Sequence, residues 1–571
     1  MIRHLRYCAG TFIRARIRRD ARQFIGMLGD CRATQRQTLS RILHLNAESY
    51  YSRRRGLTAS ASVESFRRLL PVSDFETIRA EIDQLKEGNF QSLLGPKNKL
   101  LMFALSSGTT SQAKYIPITS QFLSDYRRGW QVWGINAMDG HPSLHVSDIV
   151  QLGSNHDQYR TVSGTPCGNI SGLVGAMQSK IVQTMYAVPN PVGRIADSAA
   201  KGYTALRCAY ANAHVGMVMT ANPSTLIQLS KAAHLNQNEL IRDIADGTLS
   251  SNFEIDPEIR TQLRGRICRP DRERARELEL ISARTGSIRP RDVWNKLALV
   301  AVWTGGSVGG YLEPMRKYFG DVAIRDHGLS ASEGRMTIPL IDSSAAGVLD
   351  VGSHFFEFIP EDEHESTDPT VLEAHELQEG RNYFILLTTV SGLYRYDIRD
   401  VVRCTGFMGT TPLLEFLHKG AHIASVTGEK LAESQVVTAV RGGLSRLNLD
   451  LEHFTLSPVW DDPPKYRLHI ERGDIAIPEM RLRLASDVDK DLQQLNVEYC
   501  EKRQSGRLGP LECLAVPNGT WERYIRHRQS RFGASMEQYK HPCLVPQLTF
   551  SDTLVNDFAP AVEDRPEANA A

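Results

Sequence analysis

The sequence predicts an α/β fold, with a large domain followed by a smaller one, and three observations predict it. Short continuous apolar runs at 100–105, 297–303 and 383–390 have the length of strands buried on both faces. Helical stretches such as 312–319 lie between them, and this alternation argues an α/β architecture. The texture then shifts near Ser425, and 571 residues are too many for one ordinary core. The expected division is a large domain of β-sheets with flanking helices over 1–424 and a small α+β domain over 425–571.

Taken in order, the N-terminus sets Arg3, Arg6, Arg14, Arg16, Arg18, Arg19 and Arg22 among Ile2, Leu5, Phe12, Ile13 and Ile17. A transit peptide or membrane-surface helix has this composition. So does the solvated face of a first helix running into the body. With no signal-peptide core or small-residue cleavage site, the second reading is adopted, in a cytoplasmic protein. Leu39, Ile42 and Leu43 recur at helical spacing, as do Phe75, Ile78, Ile82 and Leu85 beyond Pro71. The 360–380 segment is acidic and turn-rich, an expected loop. Past the shift, Leu468-His469-Ile470 reads as strand and 490–504 as helix, and the tail from Ala559 reads as disordered.

Composition narrows the function. A formal net charge of +2 gives no field that calls for nucleic acid. Nine scattered cysteines form no Cys-x-x-Cys pair, which fits reduced thiols better than a disulfide framework or a zinc site. No stretch has the length of an apolar membrane span.

Four segments carry chemistry. Ser106-Ser107-Gly108-Thr109-Thr110-Ser111-Gln112-Ala113-Lys114 follows a buried strand. It offers backbone N–H groups, hydroxyls and one cation, the donor set a polyphosphate needs. It is not a Walker loop, and an ordinary Ser/Thr turn is its bland alternative. In Leu329-Ser330-Ala331-Ser332-Glu333-Gly334, Glu333 suits Mg²⁺ on phosphates, a hard cation that takes oxygen ligands. In 392–403, Asp400 at a strand end suits a pair of ribose hydroxyls, or else an ion pair with a neighbouring arginine. Lys419, Lys430 and Lys540 are candidate cations for charge that builds on an α-phosphate. Gly305-Gly306-Ser307-Val308-Gly309 also fits the nucleophile elbow of a hydrolase. Asp321 or Asp350 and His354 or His375 stand in the right chain order for that rival.

In this order, the segments resemble the Gretchen Hagen family of auxin-responsive acyl-acid amido synthetases, a branch of the adenylate-forming superfamily of acyl-CoA synthetases and firefly luciferase. The resemblance spans nearly the whole chain. Ser106 to Thr110 resembles its phosphate loop, Trp303-Thr304-Gly305-Gly306 its strand-to-helix turn, and Ser332-Glu333 its Ser-Ser-Glu segment. Phe356-Glu357-Phe358-Ile359-Pro360 resembles its Phe-Glu-Phe-Leu-Pro strand, and Gly392-Leu393-Tyr394-Arg395-Tyr396 with Asp400-Val401 is the most specific block. Lys430 and Gln538-Tyr539-Lys540 repeat its C-terminal pattern.

The resemblance implies an adenylate-forming N-terminal domain that binds ATP and a small carboxylic acid, and a small mobile domain that closes over them. A monomer is expected. Ser106, Ser107, Gly108, Thr109, Thr110, Lys114, Ser332 and Lys419 would bind nucleotide, Glu333 would serve Mg²⁺-ATP, and Asp400 would hold the ribose. Lys430 would face the α-phosphate, with Lys540 assisting. An amine, expected to be that of an amino acid, then takes the acyl group. Leu329 stands at a usual tyrosine, Lys419 at a usual arginine, and Asp397 and Arg399 replace the arginine and glycine of the usual Arg-x-Gly-Asp run. Two other readings stand beside this one: a thiol or other acceptor, and a non-catalytic relative that binds acid or nucleotide. The helix at 121–138, with Phe122, Tyr126, Trp130 and Trp133, either lines an aromatic acid pocket or is plain helix core.

Overall fold

The computed structural model describes residues 2–106, 114–364, 366, 368–420, 423–424, 426–427, 429, 431–504, 506–532 and 541–559. The protein is α/β, and its chain separates into two compact units, the second beginning at His418. The expected tail lies, past Ala559, outside the described residues.

Among the described residues, three larger sheets and one two-stranded hairpin build the first unit. Leu100–Ser106 pairs antiparallel with Lys114–Thr119, from Leu100 opposite Thr119 to Ser106 opposite Lys114, and parallel with Pro166–Gly168. Asp148–Gln151, Val215–Met219, Leu299–Val302 and Ala323–Asp326 form a four-stranded parallel sheet in that order. The two central strands, Val215–Met219 and Leu299–Val302, are apolar throughout because both faces are covered. Ile149, Met217, Leu299 and Ala301 join a core with Phe103, Phe122 and Trp133, while Val150, Val218, Val300 and Val302 join one with Tyr203, Tyr210 and Trp294. The third sheet orders seven strands as Thr337–Ile338, Ala346–Leu349, Thr411–Lys419, Tyr396–Met408, Asn382–Thr388, Phe355–Pro360 and Leu372–Glu373.

Side-chain caps start the helices around these sheets. Asp30 accepts from Ala33 N for Cys31–Asn46, and Asp74 and Thr77 cap each other's backbone at Phe75–Glu87. Thr119 accepts from Phe122 N at the head of Ser120–Gly140. The arginine-rich N-terminus is helical over Ile2–Ala9 and Thr11–Met27 and rests on the body through ion pairs, Arg6 to Asp148 at 2.9 Å and Arg18 to Asp139 at 2.6 Å. The acidic 360–380 segment holds two short 3₁₀ turns and the edge strand Leu372–Glu373. No helix among the described residues is long and apolar enough to cross a membrane.

In the second unit, Lys465–Glu471 pairs antiparallel with Thr455–Val459 and parallel with Glu512–Val516. The helix expected over 490–504 needs correction. Pro478–Leu495 and Val497–Gln504 are separate helices, broken at Asn496, whose side chain accepts from Tyr499 N and so caps the second. The nine cysteines are free thiols.

Two of the sequence blocks meet in a buried ion cluster. Glu357 lies on the Phe355–Pro360 strand with 1% exposure. One of its oxygens accepts from Arg395 Nε at 3.0 Å and the other from Arg67 Nε at 2.8 Å. Arg395 also donates to the Leu70 carbonyl at 2.7 Å. Downstream, Phe384 pairs with Val401 and Leu386 with Asp397, so Ile398, Arg399 and Asp400 bulge against the single Ile385. Arg399 sits in the left-handed region (φ +57°) and donates its N–H to Asp397 Oδ1 at 2.7 Å. The bulge turns Arg399 to solvent and Asp400 inward.

Two outcomes follow for stability. Glu357→Ala leaves a buried guanidinium without its carboxylate and is expected to cost about 3–5 kcal/mol, read by chemical denaturation; a cost within experimental error would show that the cluster does not hold this sheet. Arg399→Gly removes a left-handed strain of about 1–2 kcal/mol against a glycine entropy cost of about 0.5–1 kcal/mol. Its unfolding midpoint should therefore rise slightly, and a fall would place a favourable contact on the Arg399 side chain.

Candidate active site

The parallel sheet presents the carboxyl ends of its strands to one side, where α/β folds place ligands. Two of those ends are tied by one carboxylate. Asp326 Oδ2 accepts from Thr304 N at 2.5 Å and Thr304 Oγ1 at 2.7 Å, and its Oδ1 accepts from Gly328 N at 2.6 Å. Burial pushes its carboxyl up, opposed by these hydrogen bonds. Trp303 Nε1 adds a bond to the Gly328 carbonyl at 3.2 Å. The next two glycines are explained by close approach, since a Cβ would stand 3.0 Å from the Phe416 carbonyl at Gly305 and 2.8 Å from the Leu417 carbonyl at Gly306. That accounts for the glycines of the hydrolase-like motif. Asp321 lies on the surface with Arg316 at 2.8 Å, and Asp350 accepts from the Ser353 hydroxyl at 2.5 Å. The Ser307 side chain lies outside the described residues.

Beyond Gly328 the chain forms a small hairpin, Ser330–Ala331 with Gly334–Arg335, carrying Ser332 and Glu333 at its tip. Leu329, at the position where an aromatic was expected, packs on the first core, and its N–H bonds Thr337 Oγ1 at 2.8 Å. Glu333 is buried, and a Cβ on Gly334 would stand 2.5 Å from His354 Nε2, so only glycine follows it without displacement. Arg335 donates to the His327 carbonyl at 2.7 Å and stacks 4.3 Å over the Trp130 ring. Burial lowers Arg335 to about 10 and lowers His327 and His354 to about 3, so both imidazoles stay neutral at ordinary pH.

Tyr396 links this hairpin to the bulge. Burial raises its phenol most, and the fields of Glu333, Asp74, Asp397 and Glu76 raise it further, which puts these carboxylates within reach of one buried ring. Ser73 N bonds the Arg395 carbonyl at 3.0 Å and Asp397 N bonds the Ser73 carbonyl at 2.8 Å, docking the start of the Phe75–Glu87 helix on the same strand. Lys114 Nζ lies 5.7 Å from the Phe75 ring, and Lys114 pairs across its hairpin with Ser106. The start of the Phe75–Glu87 helix therefore joins the Lys114 end of the first hairpin to the Tyr396 strand, which runs on into the Asp400 bulge.

The remaining candidates stand as follows. The Ser106 side chain and all of Ser107, Gly108, Thr109 and Thr110 lie outside the described residues, as do Lys430 and Lys540. Lys419 ends the Thr411–Lys419 strand, and its side chain is likewise outside the description. The second unit fixes the immediate neighbours of both distal lysines. Glu429, fully buried, accepts from Val426 N and Thr427 N, each at 2.7 Å, from Thr427 Oγ1 at 2.8 Å and from Tyr466 OH. After Lys540, His541 contacts Thr455 Oγ1 at 3.0 Å and Cys543 N bonds Glu433 Oε1 at 2.6 Å.

Asp326 and Glu429 are the organising acids that the sequence reading missed. Their only signal was an acid at the end of an apolar run and an acid inside a turn. In the aromatic helix Phe122 and Trp133 are core, and Trp133 with Tyr126 and Trp130 also lines a cavity of about 700 Å³ in the first unit that the N-terminal helices border.

The GH3 family N-terminal, central and C-terminal domains match residues 20–324, 347–419 and 434–548. Indole-3-acetic acid-amido synthetase GH3.4 of Arabidopsis thaliana is 25% identical over 558 residues, covering 92% of this chain and 91% of its own. The jasmonoyl–L-amino acid synthetase JAR4 of Nicotiana attenuata is 25% identical over 546 residues, covering 92% and 93%. The solved GH3.15 acyl acid amido synthetase shares the fold, with a TM-score of 0.82 at 21% identity over 95% of this chain and 96% of that one. With all three of its domains matched in order, the chain belongs to the GH3 family.

Proposed function

We propose that this GH3 enzyme activates a small carboxylic acid with ATP as an acyl-adenylate and transfers the acyl group to the amine of an amino acid. One acid oxygen attacks the α-phosphorus of ATP and pyrophosphate leaves. The amine nitrogen then attacks the carbonyl carbon of the mixed anhydride and AMP leaves. No covalent enzyme intermediate is required, which suits a site whose glycine-rich turn is occupied by packing against backbone carbonyls. The relatives named for indole-3-acetic acid and for jasmonoyl–amino acid synthesis support an acid and an amino acid as the substrate pair.

The observation that supports the reading is that the start of the Phe75–Glu87 helix joins the Lys114 hairpin end to the Tyr396 strand, which feels the charge of Glu333 and runs on into the Asp400 bulge. In this reading Ser106, Ser107, Gly108, Thr109, Thr110 and Lys114 grip phosphates, Ser332 lies beside them, and Asp400 accepts the ribose hydroxyls. Lys419, Lys430 and Lys540 supply positive charge from the second unit, worth most where negative charge develops. Glu333 is the residue that would serve Mg²⁺. Among the described residues no three or more potential ligands gather into a metal cage. One buried carboxylate beside phosphates fits an ion that keeps its waters and takes the remaining oxygens from nucleotide. The ion would neutralise phosphate charge.

Acid-dependent exchange of pyrophosphate into ATP tests the proposal. Asp400→Asn and Lys430→Ala are each expected to depress exchange by about tenfold or more with the thermal midpoint kept. Unchanged exchange would remove that residue from the site. Ser307→Ala should leave exchange nearly intact, and its abolition together with a serine adduct in the unmutated protein would restore the hydrolase. Product mass with amino acids against coenzyme A decides the acceptor, and an acyl thioester alone would overturn amide synthesis.

A further inference from the structure

Residues 1–19 contain no acidic side chain, and neither do residues 158–196. The fold brings these two stretches together in the first unit. Arg6 Nη1 donates to the Thr184 carbonyl at 2.8 Å, and Tyr7 and Ile13 border the same cavity mouth as Met177 and Ile181.

The arginines of the N-terminal helices divide by direction. Those turned to the body are engaged there: Arg6 with Asp148 at 2.9 Å, Arg18 with Asp139 at 2.6 Å, and Arg14 over the Tyr7 ring at 4.1 Å. These contacts hold the helices down. Arg16, Arg19 and Arg22 follow at three-residue spacing on the solvent side of Thr11–Met27 and are exposed. Among the described residues, Arg16 and Arg22 have no carboxylate partner, and Arg19 reaches only its neighbour Asp20, at 3.8 Å. Packing explains the first set and leaves the second without a use.

The same outer face carries apolar side chains. Phe12 lies one turn before Arg16, is 88% exposed and joins none of the apolar cores. Ile13 beside it is also exposed, and on the other stretch so are Met177 and Ile181, with Lys180 between them. Large apolar groups in water gain by entering an apolar phase, and cations without acids beside them are drawn to an anionic one. A nucleic acid would satisfy the arginines but leave Phe12, Ile13, Met177 and Ile181 in water. A bilayer with acidic headgroups satisfies both.

We propose that this face docks the protein on an anionic lipid bilayer. Phe12, Ile13, Met177 and Ile181 enter the boundary between headgroups and acyl chains, and Arg16, Arg19, Arg22 and Lys180 lie against the headgroups. The helix thus packs on the body with one face and meets lipid with the other. The attachment is peripheral and does not depend on the adenylation reading.

Sedimentation of the full chain with vesicles is the test. The protein should pellet with vesicles of phosphatidylcholine mixed with phosphatidylglycerol, far less with phosphatidylcholine alone, and less as salt is raised. Changing Arg16, Arg19 and Arg22 together to Gln should lower the partition coefficient by about a hundredfold, at about fivefold per charge near the surface. Phe12→Ser should lower it by about tenfold. All four side chains face solvent, so both variants should keep the thermal midpoint and the acid-dependent exchange. No pelleting with the mixed vesicles, or pelleting that both folded variants leave unchanged, overturns the proposal. Equal pelleting with the two lipids overturns it too, as does a dimer of the unmutated protein that Phe12→Ser dissolves, because a second copy would then cover the face. Vesicle binding with the expected variant losses, but with no acid supporting exchange, sustains the docking and removes adenylation.

Discussion

Glu357 is a carboxylate almost sealed from water, and both of its oxygens are taken by arginines from separate parts of the chain. Two charges taken into a protein interior are tolerated only when the geometry satisfies both. Glu357 therefore fixes where Arg395 goes, and Arg395 fixes the strand on which Tyr396, Asp397 and the Asp400 bulge follow. The docking of Ser73 on that strand, and of the Phe75–Glu87 helix behind it, depends on the same placement. The inward turn of Asp400 is thus inherited from an ion cluster several residues upstream.

Polarity is distributed unevenly around this framework. His327 and His354 are deprotonated by burial, and Arg335 between the cavity and the Glu333 hairpin has given up part of its basicity. Neither imidazole changes charge across ordinary pH, so the packing between the cavity and the Glu333 hairpin keeps a constant charge.

The parts of this molecule that were legible in its sequence are those in which many residues agree. The 100–105, 297–303 and 383–390 runs are apolar on both faces and became Leu100–Ser106, Leu299–Val302 and Asn382–Thr388. The Leu312–Phe319 helix was equally plain. Three parallel strands, Asp148–Gln151, Val215–Met219 and Ala323–Asp326, escaped because runs of four or five residues amid helices carry no period of their own. The Ser330–Arg335 hairpin is shorter still and is held by tertiary bonds. Asp326, Glu429 and Arg399 were illegible for a different reason: each acts on backbone N–H groups or adopts a φ that residue type alone does not announce. The aromatic helix shows the limit most clearly, since Phe122 and Tyr126, one turn apart, fall to core and cavity respectively.

Arg6 carries a consequence that reaches past packing. The sheets and the phosphate-side hairpins are complete without the first helix, yet the cavity is not, because a single guanidinium near the start of the polypeptide latches its outer wall to Asp148. The cavity and the scaffold are therefore separable: changes within the first two dozen residues can reshape that wall while the sheets stay as they are.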